Sequence, residues 1–131
     1  MLLITLFACT AVEDKIEYPT TVLSENERYE VSYDTTPSPI PLNEEFSIWL
    51  TIVEKETNTE VIAGINVDIN AEMPNHDHGM SQTPVTSQMD DGRFMSEGMF
   101  FQMPGYWHIL TWITDETGAI EKTIFEVDCC L

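Results

Sequence analysis

The chain has 131 residues, enough for one domain with a real core that needs neither disulfide nor metal. Hydrophobic residues make up 43% of it, which places it among globular rather than disordered chains. Its 23 acidic residues outweigh five basic ones, for a formal net charge of −18. That balance argues against nucleic acid and against an anionic lipid surface, which are both gripped through Lys and Arg, and it favours cations and basic partner surfaces.

Met1 to Ala8 (MLLITLFA) is an apolar run, too short to span a bilayer. Leu6-Phe7-Ala8-Cys9 resembles a bacterial lipobox, in which a small residue precedes the cysteine that is lipidated. No Lys or Arg precedes the run, which departs from that pattern. The expectation is a signal-like segment over 1–8, lipidation at Cys9, and a polar, acidic tether over 9–27, with the domain proper at 28–131. This implies a lipoprotein outside the cytoplasm, in the periplasm or cell envelope, held to a bacterial membrane by its lipid alone.

Arg28 to Tyr33 (RYEVSY) alternates as a first strand. Asp34 to Leu42 carries three prolines and reads as an extended connection. In Phe46 to Val53 (FSIWLTIV), the residues Phe46, Ile48, Leu50 and Ile52 share one face at period two. Lys55 to Glu60 reads as a polar loop. Ile65 to Ala71 alternates again, with Ile65, Val67, Ile69 and Ala71 inward. Asp90-Asp91-Gly92 is a turn signal. Arg93 to Glu97 and Met99 to Met103 read as two short strands around Gly98, and Pro104-Gly105 breaks the chain. Tyr106 to Thr114 is a strand with apolar groups on both faces, Asp115 to Gly118 a hairpin turn, and Ala119 to Val127 the last strand. About seven strands with no amphipathic helix predict an all-β fold, an immunoglobulin-like antiparallel β-sandwich.

Chemistry concentrates in one window. Every methionine but the first lies between Met73 and Met103, and His76 and His78 fall inside the same stretch, with His108 just beyond. At its densest it reads Met73-Pro74-Asn75-His76-Asp77-His78-Gly79-Met80. His76, His78 and Met80 stand at i, i+2 and i+4, so an extended segment turns them the same way. Thioether sulfur with imidazole suits copper, Cu(I) above all, with zinc second, because zinc prefers Cys, His and carboxylate and would have only two close histidines plus Asp77 here. Met103-Pro104 echoes Met73-Pro74, and loops gather at the ends of a sandwich, so Met103 could approach the histidine loop. Met95, Met99 and His108 fall at strand positions that favour structural roles. The candidate metal ligands are His76, His78, Met73, Met80 and Met103. Imidazole must be neutral to bind, so affinity is expected to fall below about pH 6.

Nothing supports catalysis: there is no serine elbow, no phosphate loop and no H-E-x-x-H. Cys129 and Cys130 are adjacent, and as a vicinal pair they can join each other only in a strained ring. Free thiols, an intermolecular bridge and a peripheral copper ligand are the alternatives.

Three stretches carry a resemblance: Ala71-Glu72-Met73-Pro74-Asn75-His76-Asp77-His78-Gly79-Met80, Asp91-Gly92-Arg93-Phe94, and Met99-Phe100-Phe101-Gln102-Met103-Pro104-Gly105-Tyr106-Trp107. In that order they resemble the YtkA-like family, relatives of the FixH and CopC-like β-sandwich proteins of bacterial envelopes, over about Asn43 to Val127. The resemblance implies export and a role in copper handling or respiratory-oxidase maturation. It carries over His76, His78 and Met73 as ligands, Met103 as ligand or support, and Trp107 as core. The expected partner is a copper donor or acceptor protein, with a respiratory oxidase or an efflux component as the candidates. The alternative is a metal-free accessory or interaction subunit of an envelope or respiratory membrane complex.

Overall fold

A computed structural model describes residues 16–130. The signal-like segment 1–8 and the lipidation expected at Cys9 lie outside the described residues. The described chain forms ten strands: β1 (Thr21–Leu23), β2 (Tyr29–Thr36), β3 (Glu45–Glu54), β4 (Thr59–Glu60), β5 (Ile65–Met73), β6 (His78–Gly79), β7 (Val85–Gln88), β8 (Phe94–Phe100), β9 (Gly105–Asp115) and β10 (Ile120–Cys129). One sheet has the order β1-β2-β3-β8-β7, with β4 also paired to β3, and the other has the order β10-β9-β5-β6. Every pairing is antiparallel. The expected all-β sandwich is the observed fold.

The core forms where the two inner faces meet, and period-two patterning selects its members. Phe46, Ile48, Leu50 and Ile52 come from β3, Val67, Ile69, Ala71 and Met73 from β5, and Trp107, Ile109 and Ile113 from β9, all buried. Trp107 stacks on Phe101 with ring centroids 4.2 Å apart and planes within 5°. Thr111 and Thr123 also lie inside, each satisfying the other's hydroxyl across β9 and β10.

Four features differ from the sequence expectation, each for a local reason. Thr21–Leu23, inside the stretch read as tether, pairs with Glu30–Ser32 as an edge strand; three residues with only Val22 turned toward the core leave too short a pattern to recognise. The loop read at Lys55–Glu60 folds back as a hairpin whose β4 pairs with Val53 and Glu54. The two strands expected around Gly98 are one, β8, because Gly98 at φ 81° absorbs a bulge in the register with β3 between Phe46 and Ile48. That strand ends at Phe100, so Met103 sits in the connection to β9 rather than in a strand. The polar edge strand β7 carries one apolar residue, Val85, and gives no alternation to read.

Candidate metal centre

The histidine loop is a hairpin at the end of the second sheet. β5 runs in phase with the core as far as Met73, then turns through Pro74-Asn75-His76-Asp77 into β6. Asp77 takes the left-handed conformation, φ 54°, which an Asp tolerates better than most residues. The His76 amide donates to the Met73 carbonyl at 3.1 Å, closing the turn. In the β5–β6 ladder Met73 faces His78 and Glu72 faces Gly79.

The connection from β8 to β9 packs against this hairpin. The Trp107 indole Nε1–H donates to the Met103 carbonyl at 3.0 Å, so a fully buried ring anchors the Met103 backbone. Gln102 Nε2 donates to the Gly79 carbonyl at 2.8 Å. The result brings His78 Nε2 to 3.3 Å from Met103 Sδ. The His78 ring stands edge-on to Trp107, centroids 6.1 Å apart.

The tautomer follows from the other ring nitrogen. His78 Nδ1 lies 3.0 Å from the Gly79 carbonyl oxygen, which can only accept, so Nδ1 carries the proton in the neutral ring. Nε2 is then a bare lone pair aimed at a thioether sulfur, which is itself a weak acceptor. Two lone pairs 3.3 Å apart attract little, but a cation bound to both would hold them together. With metal–nitrogen and metal–sulfur bonds of about 2.0 and 2.3 Å at a tetrahedral angle, the two donors sit roughly 3.5 Å apart. The backbone carbonyl on Nδ1 is also the kind of outer partner that orients a ligating imidazole.

The remaining predicted ligands are placed unequally. His76 is exposed on the rim, its ring centroid 5.9 Å from that of His78. Met73 is 1% exposed and faces inward beneath the hairpin. Its Cε lies 3.1 Å from where a Cβ on Gly105 would be, so the glycine opens the space that the thioether fills. Met80 turns away: its sulfur accepts the Phe100 amide at 3.4 Å, and its side chain packs against the core. The structure therefore brings together His78 and Met103, sets His76 beside them and Met73 below, and gives Met80 other work. Among the described residues no three His, Cys, Asp or Glu side chains gather as a metal-binding group. A centre here has to use thioether sulfur.

His108 lies on the outer face of the same sheet. Its Nε2 is 2.9 Å from the Tyr106 hydroxyl, which donates to Glu126 Oε1. The bond to Glu126, helped by desolvation and the carboxylate charge, pushes the Tyr106 hydroxyl up to about 12. Among the methionines expected to be structural, Met99 is fully buried and Met95 half-buried. Gln102 is the contributor that sequence reasoning missed. A lone Gln between Phe101 and Met103 carries no periodic or spacing signal, and its role depends on where the hairpin lands.

Comparison with curated proteins gives no match. The fold is similar to that in a crystal structure of FetP from uropathogenic E. coli strain F11, with a TM-score of 0.53 over 88% of this chain and 97% of that one, at 11% identity. At that identity the likeness concerns the fold alone. The YtkA-like family model matches residues 22–111, a span that begins in β1, ends in β9 and includes the whole hairpin and the connection that faces it. By that match, the chain belongs to the YtkA-like family.

Proposed function

We propose that this protein is an extracytoplasmic copper-binding domain that holds copper or passes it on in the bacterial envelope. The observation that carries the reading is the pair His78 Nε2 and Met103 Sδ, 3.3 Å apart, with the proton of the imidazole committed to a backbone carbonyl on its far side. Nitrogen plus thioether favours Cu(I), with zinc second, because carboxylate and thiolate are missing from the immediate set. His76 on the rim supplies a further imidazole, and Met73 a sulfur from below.

An exposed, under-coordinated ion suits transfer. His76 can take up or release the metal at the surface while His78 and Met103 hold it from within, and a donor or acceptor protein would complete the coordination in passing. The charge of −18 raises the local concentration of cations. Membership of the YtkA-like family supports an envelope location, and FetP, which shares the fold, was recombinantly expressed in the periplasm. Lipidation at Cys9 would supply the anchor, and a respiratory oxidase or an efflux component is the partner class we favour.

The test is titration of the full chain with Cu(I) against a competing chelator. Near-stoichiometric uptake is expected, lost in a His76→Ala/His78→Ala double variant and sharply weakened in Met103→Ala. His108→Ala should bind as the parent does. Uptake unchanged in the double variant would overturn the proposal.

A further inference from the structure

One side chain beside the hairpin carries a cost that the fold does not explain. Gln102 Nε2 donates to the Gly79 carbonyl at 2.8 Å, and the same oxygen lies 3.0 Å from His78 Nδ1. A carbonyl oxygen has two lone pairs, so it can serve both donors. Because it can only accept, the end of the amide that faces it is the NH2 group, and Gln102 Oε1 points elsewhere. Among the described residues, that Oε1 is the one buried side-chain nitrogen or oxygen without a protein partner. An orphaned buried acceptor costs stability. The bond to Gly79 returns little of it, because that bond lies at the surface, where water competes.

The backbone on either side is held without Gln102. The Asn43 amide donates to the Phe101 carbonyl at 2.9 Å, and the Trp107 indole donates to the Met103 carbonyl at 3.0 Å. Across the gap, the hairpin is tied by the β5–β6 ladder and by the Phe100 amide on the Met80 sulfur. What remains for Gln102 is the direction of the Gly79 carbonyl, in the residue type whose backbone turns most freely. Gln102 directs it from the position next to Met103. One short connection thus supplies the sulfur and orients the nitrogen that meets it.

We infer that Gln102 is a positioning residue: by pinning the Gly79 carbonyl it keeps the proton of neutral His78 on Nδ1 and leaves Nε2 open, toward Met103, for a metal ion. The inference rests on the copper reading above for the identity of that ion. A carbonyl that swings away deprives Nδ1 of its acceptor and frees the proton to move to Nε2, the ligand atom. Metal must then displace that proton, and affinity falls. The orphaned Oε1 separates this role from a structural one. A side chain kept for the fold loses stability when an apolar one of similar size replaces it. Gln102→Leu removes the donor and the orphan together, so stability should stay the same or rise.

The test uses the full chain labelled with nitrogen-15, free of metal, at about pH 8, where imidazole is neutral. Ring-nitrogen shifts, assigned to His78 by their loss in His78→Ala, should show the Nδ1–H form in the parent. Gln102→Leu should show a mixture of both tautomers, with a melting temperature equal to the parent's or higher. Gln102→Asn keeps the amide on a side chain one methylene too short, and as the second variant it should shift the tautomer in the same way. In both, Cu(I) affinity measured against a competing chelator should fall about tenfold, the low end of what outer partners of a metal ligand supply. An unchanged tautomer in both variants would overturn the inference. So would a melting temperature well below the parent's in Gln102→Leu, or a shifted tautomer with Cu(I) affinity intact. Uptake of Cu(I) by the parent is scored separately and reads the copper proposal, whereas the tautomer is read without metal, so the two fail independently.

Discussion

The two ends of β9 treat their polar atoms in opposite ways. At the Asp115 end each polar group is spent on another. Arg28 pairs with Asp115 and Glu54, and Asp115 also accepts from the Thr117 amide and hydroxyl and the Ala119 amide, capping the β9–β10 turn. Asn26 donates twice to Glu121, from its backbone amide at 3.0 Å and its side chain at 2.9 Å. At the Gly105 end, Tyr106, His108 and Glu126 satisfy one another on the outer face, but on the hairpin side His78 Nε2 meets a thioether, the sulfur of Met103. The first end fastens the sandwich shut. The second leaves electron pairs pointing at one another, which stabilises little by itself and becomes favourable when a soft cation arrives. The comparison separates the part of the molecule that folding uses from the part that a ligand would use.

The sharpest way to break the comparison is to damage one end and watch the other. His78→Ala should lower Cu(I) affinity by at least tenfold and, since the side chain is only half-buried, move thermal stability by less than about 1 kcal/mol. Competition titration and calorimetry on the same sample check both halves. A large loss of stability would mean that the hairpin is structural after all.

Trp107→Ala should do the reverse. It removes a fully buried ring that stacks on Phe101 and is expected to cost about 3–5 kcal/mol, measured by urea unfolding. It also releases the Met103 carbonyl, so copper affinity should fall in whatever fraction stays folded.

At the fastened end, Asn26→Ala strips one partner, the side-chain amide, from the Glu121 carboxylate, which is 7% exposed, and leaves the backbone amide in place. The expected cost is about 1–3 kcal/mol with no change in copper binding. Retained stability would show that water replaces Asn26 freely.

The smallest effect is the acid limb of stability. Hydrogen bonds from Thr117 and Arg28 hold the Asp115 carboxyl well below its usual range. Burial pushes Glu121 up, but the bonds from Asn26 and Ser24 outweigh it, with a further share from the Arg28 charge, and its net direction is down. Groups depressed in the fold stabilise it fully above their unfolded values of about 4, and that contribution is lost as pH falls through their folded values. The metal-free protein should therefore lose stability progressively below about pH 4. Arg28→Met should make that limb shallower. A limb unchanged by that substitution would sever Arg28 from the account.

Much of this was legible from residue order. Alternation in Phe46–Val53 and Ile65–Ala71 picks the inward residues that are buried, Ile65 at the strand's start being only partly so, and extending the second run by one step already turns Met73 into the core. Clustering of His76, His78 and the methionines marks the loop. Legibility fails where a residue's task depends on a distant neighbour. Met80 has the same spacing credentials as His78, yet its sulfur serves the Phe100 amide twenty residues away. The histidine pair is equally symmetric in sequence, while the structure puts His78 against Met103 and leaves His76 on the rim.

By itself the sequence determined the fold class, the inner faces of the long strands and the window that holds the candidate ligands, because period-two alternation and residue chemistry are local properties. Only the tertiary structure decided which ligands meet. It joined β1 to the sheet, carried β8 across Gly98 as one strand, set Gln102 on the Gly79 carbonyl and brought Met103 up to His78. Those outcomes follow from packing two sheets face to face, which couples residues far apart in the chain and leaves no trace in the spacing between them.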